Sequence, residues 1–276
     1  MTAVETSSPV ATSAARMDRA ALQALAATGA PERPPVLSYV GRWGRARRWL
    51  PSDAGCVLDV GCAFGYGTAA LTGSGRRRRH VIGVEQDEAH LLEARRRFPW
   101  LPVLAADAAA LPIEDDAVDG VAMLDVLEHV AEPAAVISEL RRVLRPGGVL
   151  VVSVPHRGLL TRLDSLNVYP ALRRRRPSWP PLEPAEHSAG GVHRHFSAAE
   201  LTDILGPGFT VDRVARTGLG LTELLHLTML VVFKAMLGWT RVYRALMALH
   251  LLVYVLDDAV PCGRASYYVT VRAAVR

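Results

Sequence analysis

The segment Cys56–Thr68 reads CVLDVGCAFGYGT, and it sets the pattern for the whole chain. It begins as a short apolar run with one carboxylate, Asp59, and it ends in a loop that contains Gly61, Gly65 and Gly67. A buried strand that stops at a glycine-rich loop is typical of a place where a ligand approaches the backbone closely. We therefore predict that a nucleotide cofactor binds at the carboxyl end of this strand.

Apolar runs alternate with helical patterns along the chain, which predicts βαβ units and a parallel sheet. The runs are nearly continuous, as expected for strands that helices cover on both faces. The predicted strands are Cys56–Val60, His80–Glu85, Val103–Ala106, Val118–Leu124, Gly148–Val154, Phe209–Arg216 and Ser266–Ala273. The predicted helices are Ala20–Ala27, Leu37–Leu50, Tyr66–Thr72, Glu88–Arg97, Pro133–Leu144 and Ser197–Leu205, followed by an apolar helical segment over Leu221–Leu256.

The composition bounds the class of protein. A chain of 276 residues suits one large α/β domain. The net charge of +5 rests almost wholly on arginine, and we expect no nucleic-acid partner because such proteins usually cluster lysine with arginine. Cys56, Cys62 and Cys262 fit neither a disulfide framework nor a metal-ligand spacing, which indicates the cytoplasm.

The chain divides into a tail and one domain. Residues 1–19 lack the apolar block of a signal peptide, and we predict a disordered tail there. Residues 20–276 are predicted to form the domain, with a lid insertion at 156–196 and an apolar helical insertion at 221–256.

Three acids stand at the ends of three successive strands. Glu85 is placed to accept hydrogen bonds from ribose hydroxyls, and Asp107 could meet the exocyclic amine of an adenine. Asp59 would repel a pyrophosphate but attract an ammonium group. The loop spacing also departs from the G-x-G-x-x-G pattern of dinucleotide-binding sites. The residues therefore favour a cationic ligand over NAD.

Four stretches resemble, in order and spacing, the successive motifs of the class I S-adenosylmethionine-dependent methyltransferases, above all the ubiquinone and menaquinone biosynthesis subgroup. They are CVLDVGCAFG, VIGVEQ, AADAAALPIEDDAVDGVAMLDVLEHV and LRPGGVLVVSVP. The resemblance covers about residues 37–218 and the last strand. It implies a Rossmann-like, mostly parallel seven-stranded sheet with the last strand antiparallel, helices on both faces and helical cap insertions. It also implies S-adenosylmethionine as the cofactor.

The resemblance assigns cofactor contacts at four strand ends. By this resemblance, residues after the first strand shape the methionine end of the pocket, those after the second strand bind the ribose, and those after the third strand hold the adenine. The implied residues are Asp59, Gly61, Cys62, Ala63 and Gly65 after the first strand, Glu85 and Gln86 after the second, Asp107 and Ala108 after the third, and Asp125 after the fourth. The family usually has glycine at position 63. We expect alanine there only with a negative φ, and a slightly narrower pocket.

The segment DVLEHV has two interpretations. Asp125, Glu128 and His129 match the two acids and the histidine that the similar segment of quinone-biosynthesis O-methyltransferases offers to a divalent cation. Such a trio could hold Mg²⁺ or Mn²⁺ and polarise a diol. The same pattern is widespread in relatives without a metal, in which Asp125 borders the cofactor and His129 lines the acceptor pocket. We favour the metal-free interpretation.

The segment GGVHRHFSAAEL resembles the part of the family that closes over the acceptor. His193 or His195 could act as a general base with a near-neutral pKa, and with His129 they are the candidate catalytic residues. The alternative is that one of them only fixes the loop by a hydrogen bond to the backbone.

The segment over residues 221–256 is apolar on most sides, but charged residues interrupt it before it reaches the length of about twenty residues that spans a membrane. Gly238 is predicted to divide it into two helices. A lid over the acceptor, a homodimer interface and a peripheral membrane patch stay open, and we favour the first two.

The expected function is methyl transfer from S-adenosylmethionine to a small hydrophobic acceptor, at oxygen. Methylation at carbon or nitrogen of a lipid, quinone or secondary metabolite is the alternative. Two other classes remain: a non-catalytic methyltransferase-like binding subunit, and an NAD-dependent oxidoreductase, which Asp59 disfavours. The expected location is the cytoplasm, with contact to the inner face of the membrane if residues 221–256 meet lipid.

Overall fold

The computed structural model describes residues 16–27, 40–52, 54–72, 79–159, 161–182 and 193–276. Within these ranges one seven-stranded sheet has the order β3-β2-β1-β4-β5-β7-β6. Its strands are β1 Val57–Val60, β2 Val81–Glu85, β3 Val103–Ala105, β4 Val118–Leu124, β5 Leu144–Pro155, β6 Phe209–Thr217 and β7 Tyr268–Val275. Strands β1 to β5 are parallel, and β7 is antiparallel to both β5 and β6. The predicted fold class is confirmed.

The helices cover both faces of the sheet. They are α1 Arg19–Ala26, α2 Gly41–Trp49, α3 Tyr66–Thr72, α4 Glu88–Arg97, α5 Pro133–Val143, α6 Ser165–Arg175, α7 Ala198–Leu205, α8 Leu221–Thr228 and α9 Thr240–Ala259. Neighbouring residues of a strand point to opposite faces. Accordingly, Leu58 packs in the core with α1, α5 and α7, whereas Val57 packs in a second core with α2 and α3.

Two local predictions needed correction. Strand β5 begins at Leu144, not at Gly148, because Leu144 already pairs with Val118 before the register shifts. Helix α6 was missed since Pro170 lies inside it, and Asp164 caps it by accepting a hydrogen bond from Leu166 N–H. The capping box at the start of α7 was predicted correctly.

The predicted disordered tail, residues 1–19, includes four residues that the structure describes as packed on the domain. Residues 1–15 lie outside the described part of the chain, but residues 16–19 pack on the domain. The backbone of Met17 pairs with Pro112 and Glu114, and Arg19 reaches the buried carboxylate of Asp119 at 2.7 Å. These hydrogen bonds and this ion pair hold the start of α1, and the residues just before it, against the domain.

The two predicted insertions pack on each other where they are described. Residues 160 and 183–192 of the predicted lid lie outside the described ranges. Helices α6, α8 and α9 share a small hydrophobic core with the π-helical segment Met229–Met236. Gly238 breaks the segment with a φ of +64°, as predicted. Among the described helices, none combines the length and apolarity needed to cross a membrane.

A buried ion network joins the apolar insertion to the sheet. Asp258 of α9 is fully buried and accepts hydrogen bonds from Arg42 N–H at 2.6 Å and Thr217 Oγ1 at 2.7 Å. The guanidinium of Arg45 lies 3.5 Å from the same carboxylate. The guanidinium of Arg42 lies 3.7 Å from the ring centre of Tyr268 in β7. Two buried cations and one buried anion thus fix α2 against α9.

We expect Asp258→Ala to lower the free energy of unfolding by about 3–5 kcal/mol, because two buried guanidinium groups lose their shared carboxylate. Asp212→Ala is the matched control, since Asp212 pairs with Arg272 near the surface and such pairs contribute at most about 1 kcal/mol. Urea unfolding of both variants measures the difference. Equal losses in the two variants would show that the network does not fix α9.

Candidate active site

The candidate site lies along the carboxyl edge of the sheet. From β1 the strands β2 and β3 are added on one side of the sheet, and β4 and β5 are added on the other. The strand order therefore reverses between β1 and β4. Ligands of open α/β sheets bind in the crevice at such a reversal. The ends of β3, β2, β1 and β4 bring Asp107, Glu85, Gly61 and Asp125 to this edge in that order.

The loop after β1 is shaped by left-handed backbone. Gly61 and Gly65 have φ of +77° and +81°, and a Cβ at Gly61 would collide with the side chain of Val126. Ala63 also has a positive φ, +43°, so the expected negative value is wrong. This conformation costs a non-glycine residue roughly 1–2 kcal/mol. The hydrogen bond from Ala63 N–H to Glu85, at 2.9 Å, offsets part of this cost.

Glu85 is fixed by backbone donors. One oxygen accepts from Ala63 N–H at 2.9 Å, and the other accepts from Gln86 N–H and Asp87 N–H at 2.9 and 3.0 Å. The carboxylate therefore stands rigidly between the glycine loop and the end of β2. Asp107 is exposed and accepts from Ala109 N–H at 2.8 Å. Both acids occupy the predicted positions at the edge.

Asp59 is the buried member of the row. Its side chain accepts a hydrogen bond from Thr68 Oγ1 at 2.7 Å. Burial raises the pKa of Asp59 from its ordinary value of 3.8 to about 7, with the Thr68 bond opposing the rise and the charge of Glu85 adding to it. A cationic ligand nearby would favour the charged form of this carboxyl group.

Asp125 does not join the predicted metal trio. It has a φ of +58° and forms an ion pair with Arg42, while its Oδ1 is buried without a hydrogen-bond partner among the described residues. The structure instead groups Glu128 and His129 with His193, as three residues whose ligand atoms lie within 4.8 Å of one another. The trio of Asp125, Glu128 and His129 is therefore replaced by a set that reaches into the predicted lid.

The three candidate catalytic histidines meet beside two buried acids. The rings of His129 and His193 stack with centroids 5.1 Å apart, and His193 contacts His195 edge-on at 5.6 Å. His193 Nδ1 is bonded to Asp164 Oδ2 at 2.6 Å, and its Nε2 faces Glu128 Oε1 at 3.5 Å. We define these five residues as the histidine cluster.

Charge sets the protonation of the histidine cluster. Although burial favours a neutral ring, the hydrogen bond to Asp164 and the nearby Glu128 raise the pKa of His193 to about 10. The near-neutral pKa expected of a general base is thus wrong for His193. Its backbone N–H and C=O both bond to the amide of Asn167, at 3.0 and 2.7 Å, so a side chain outside the histidines fixes this loop.

Sequence reasoning missed Arg42, Asp164 and Asn167. Arg42 precedes the recognised motifs, and Asp164 and Asn167 lie in the irregular segment after β5. Asp164 carries one local signal, because it stands before a helix as an N-cap acid. No spacing in the sequence links it to His193, which follows 29 residues later.

Known proteins with similar sequences match the part of the chain that forms this edge of the sheet. A family profile described as a methyltransferase domain matches residues 58–152. A probable S-adenosylmethionine-dependent methyltransferase of Mycolicibacterium smegmatis is 37% identical over 171 residues, covering 61% of this chain and 58% of that protein. A demethylmenaquinone methyltransferase of Clavibacter sepedonicus is 37% identical over 133 residues, covering 45% of this chain and 53% of that protein. The chain thus spans little more than half the length of these relatives.

Residues 58–152 thus resemble a methyltransferase domain, and the description of the relative from Mycolicibacterium smegmatis as S-adenosylmethionine-dependent agrees with the predicted class and cofactor. The fold agrees as well. A possible histamine N-methyltransferase of Thermotoga maritima superposes with a TM-score of 0.54 at 21% identity, covering 85% of this chain and 88% of that one. The matched range 58–152 contains Glu128 and His129, whereas Asp164, His193 and His195 follow it in the chain.

We expect the stability of the ligand-free protein to fall as pH rises from about 4 to 7, in part through Asp59. The native carboxyl group keeps its proton up to a pKa of about 7, whereas the unfolded chain releases it near 3.8. Each pKa unit of difference between the native and unfolded states is worth about 1.4 kcal/mol of unfolding free energy. The loss of stability between pH 4 and 7 should therefore be smaller in Asp59→Asn than in the wild type, by at most about 4 kcal/mol.

Urea unfolding of the wild type and of Asp59→Asn at pH 5 and pH 8 measures this difference. Asp107→Asn, which removes an exposed carboxylate from the same edge, is the control and should retain the wild-type pH dependence. Parallel pH profiles for the wild type and Asp59→Asn would contradict the assignment.

Proposed function

We propose that this chain transfers the methyl group of S-adenosylmethionine to an oxygen of a small hydrophobic acceptor. The observation that carries the proposal is the Glu85 carboxylate, which three backbone N–H groups hold between the glycine loop and the end of β2. This acid lies in one row with Asp59 and Asp107, and the row ends near the histidine cluster. The proposed cofactor site and the histidine cluster therefore lie along one edge of the sheet.

The residues fit the cofactor by their chemistry. Glu85 offers carboxylate oxygens to the ribose hydroxyls, and Asp107 offers one to an adenine amine. Glycine at position 61 lets the loop after β1 take a left-handed turn and pack directly against Val126, which fixes the backbone beside the proposed cofactor. Asp59 supplies negative charge toward the methionine end. When bound, the cofactor supplies a methyl group activated by a sulfonium, and the protein mainly positions the two reactants.

The acceptor side is supported by the histidine cluster. Methylation of a hydroxyl requires removal or polarisation of its proton. His129 and His195 lie in ring contact with His193, which is already protonated beside Asp164 and Glu128, so His129 and His195 are the candidates to accept that proton. Methylation at carbon is the second candidate, because the relative from Clavibacter sepedonicus is named for demethylmenaquinone.

We expect Glu85→Ala to weaken S-adenosylmethionine binding by roughly 10- to 100-fold, since hydrogen bonds to a charged group are worth about 1.5–3 kcal/mol. Glu93→Ala is the control, because Glu93 forms surface ion pairs with Arg96 and Arg97 on α4. Isothermal titration calorimetry measures binding in both variants. Unchanged affinity in Glu85→Ala would contradict the assigned cofactor site.

Turnover is tested with methyl-labelled S-adenosylmethionine and fractionated extract of the source cells. Label in the lipid fraction supports a lipid or quinone acceptor, and label in the soluble fraction supports a soluble one. Chemical cleavage of the labelled product then separates an O-methyl group from a C-methyl group. Tight cofactor binding without label in any fraction would instead support the non-catalytic binding subunit.

We propose further that the exposed side of α9 rests on a lipid surface. Its exposed apolar side chains are 37–59% accessible: Val242, Met247, Leu249, Leu251, Leu252 and Leu256. Trp239 is 54% exposed just before the helix, and Arg241 and Arg244 are exposed in its first turns. An apolar helix face with tryptophan and arginine at one end is typical of interfacial helices on anionic membranes.

We expect Leu251→Glu with Leu252→Glu to lower binding to anionic phospholipid vesicles by more than tenfold, because burial of each leucine is worth about 1.5–3 kcal/mol. Leu92→Glu is the control, since Leu92 is 60% exposed on α4. Vesicle co-sedimentation measures the loss. If the wild type ignores vesicles and sediments as a dimer that the double variant abolishes, the surface is a homodimer interface instead.

A further inference from the structure

The histidine cluster contains a buried carboxylate without a partner. Glu128 is 1% exposed, and neither of its oxygens has a hydrogen-bond partner among the described residues. An unpaired buried carboxylate is strongly unfavourable, so such groups are normally paired or coordinate a metal. His129 Nδ1 is likewise buried without a hydrogen-bond partner. His193 Nε2 faces Glu128 as an ion pair, but at 3.5 Å it is too far for a good hydrogen bond, so both Glu128 oxygens are still able to accept a bound cation.

The donor atoms around Glu128 are close to coordination geometry. Glu128 Oε1 lies 3.9 Å from His129 Nε2 and 3.5 Å from His193 Nε2. Metal–ligand bonds of about 2.0–2.2 Å place neighbouring donor atoms roughly 3–3.5 Å apart. A small inward movement of His129 would therefore bring all three atoms onto one ion.

Asp164 supports this arrangement from behind His193. Its Oδ2 accepts the hydrogen bond from His193 Nδ1 at 2.6 Å, which leaves Nε2 directed at Glu128. Asp164 is itself held by Leu166 N–H at 2.9 Å and Asn167 Nδ2 at 3.1 Å. A carboxylate that orients a histidine through its second nitrogen is the usual support of a metal-ligating histidine.

We propose that Glu128, His129 and His193 bind one divalent transition-metal ion, with Asp164 as the positioning residue of His193. The donor set is two imidazoles and one carboxylate, which suits Zn²⁺, Mn²⁺, Fe²⁺ or Co²⁺ better than Mg²⁺. In this site His193 replaces Asp125 of the trio Asp125, Glu128 and His129, because Asp125 forms an ion pair with Arg42. The proposed site draws one ligand from the segment after the methyltransferase domain.

A second grouping of the same residues is less suitable. Asp164, His193 and His195 also lie close enough to share an ion. However, Asp164 already accepts hydrogen bonds from His193, Leu166 and Asn167, whereas Glu128 accepts none among the described residues. Among the described residues Glu128 is the acid of this cluster that accepts no hydrogen bond, so the ion belongs on its side of His193.

The role of the ion rests on the proposed function. An ion held by these three ligands would leave room for the hydroxyl of an acceptor, polarise it and ease transfer of its proton to a solvent water. The acceptor oxygen then bonds to the methyl carbon as the carbon–sulfur bond breaks, and sulfur keeps the electron pair as a neutral thioether. Metal binding itself requires neither reactant, which allows the two proposals to fail separately.

The test is titration of the metal-stripped full chain with Co²⁺, followed by its visible absorption, and with Zn²⁺ in competition. We expect one equivalent to bind, Glu128→Gln to weaken binding at least 100-fold, and Asp164→Asn to weaken it roughly 10- to 100-fold. Glu132→Gln, which changes an exposed acid before α5, is the matched control and should bind as the wild type does.

Two further measurements decide the outcome. Each variant should retain the wild-type circular dichroism and S-adenosylmethionine affinity, which separates loss of the ion from loss of the fold or of the cofactor site. Asp125→Asn distinguishes the two donor sets, and we expect it to keep the Co²⁺ spectrum. Wild-type Co²⁺ affinity in Glu128→Gln, or its loss in Asp125→Asn alone, would overturn the proposed site.

Discussion

A buried guanidinium is stable only where carboxylates and aromatic rings surround it, and Arg42 is such a group. It pairs with Asp125 at the end of β4 and lies near Asp258 of α9, above the ring of Tyr268 in β7. The carboxyl edge of the sheet and helix α9 therefore share one cation. Movement of α9 would disturb Asp125 directly, so the position of the insertion and the shape of the site are linked through a single side chain.

The site combines residues at the ends of strands with residues from irregular segments of the chain. The acids at the carboxyl edge of the sheet come from strand ends, which the hydrogen bonds of the sheet hold in register. The histidine cluster combines the turn after β4 with the irregular segment after β5, where Asn167 fixes the backbone of His193. Common folds support many chemistries because such added segments vary while the sheet does not. In this chain the added segment supplies Asp164 and His193, which pair in the histidine cluster.

Much of the sheet could be predicted because each strand is a continuous apolar run bounded by polar or glycine turns. Helix α6 could not, since Pro170 in its interior contradicts the usual helix pattern. The row of acids followed from strand ends, which meet at one edge of a parallel sheet. The pairing of Asp164 with His193 and the left-handed backbone of Ala63 depend on tertiary contacts, so local sequence patterns carried no signal for them.

Strand order has a consequence for synthesis of the chain. Strand β7 follows β6 and the apolar helices α8 and α9, yet it lies between β5 and β6 in the sheet. Until β7 leaves the ribosome, β6 lacks its partner and β5 keeps an open edge, while the leucines of α9 are already in solution. Unpaired strand edges and exposed apolar surface promote aggregation. The order of elements therefore makes the nascent chain a candidate client for chaperones.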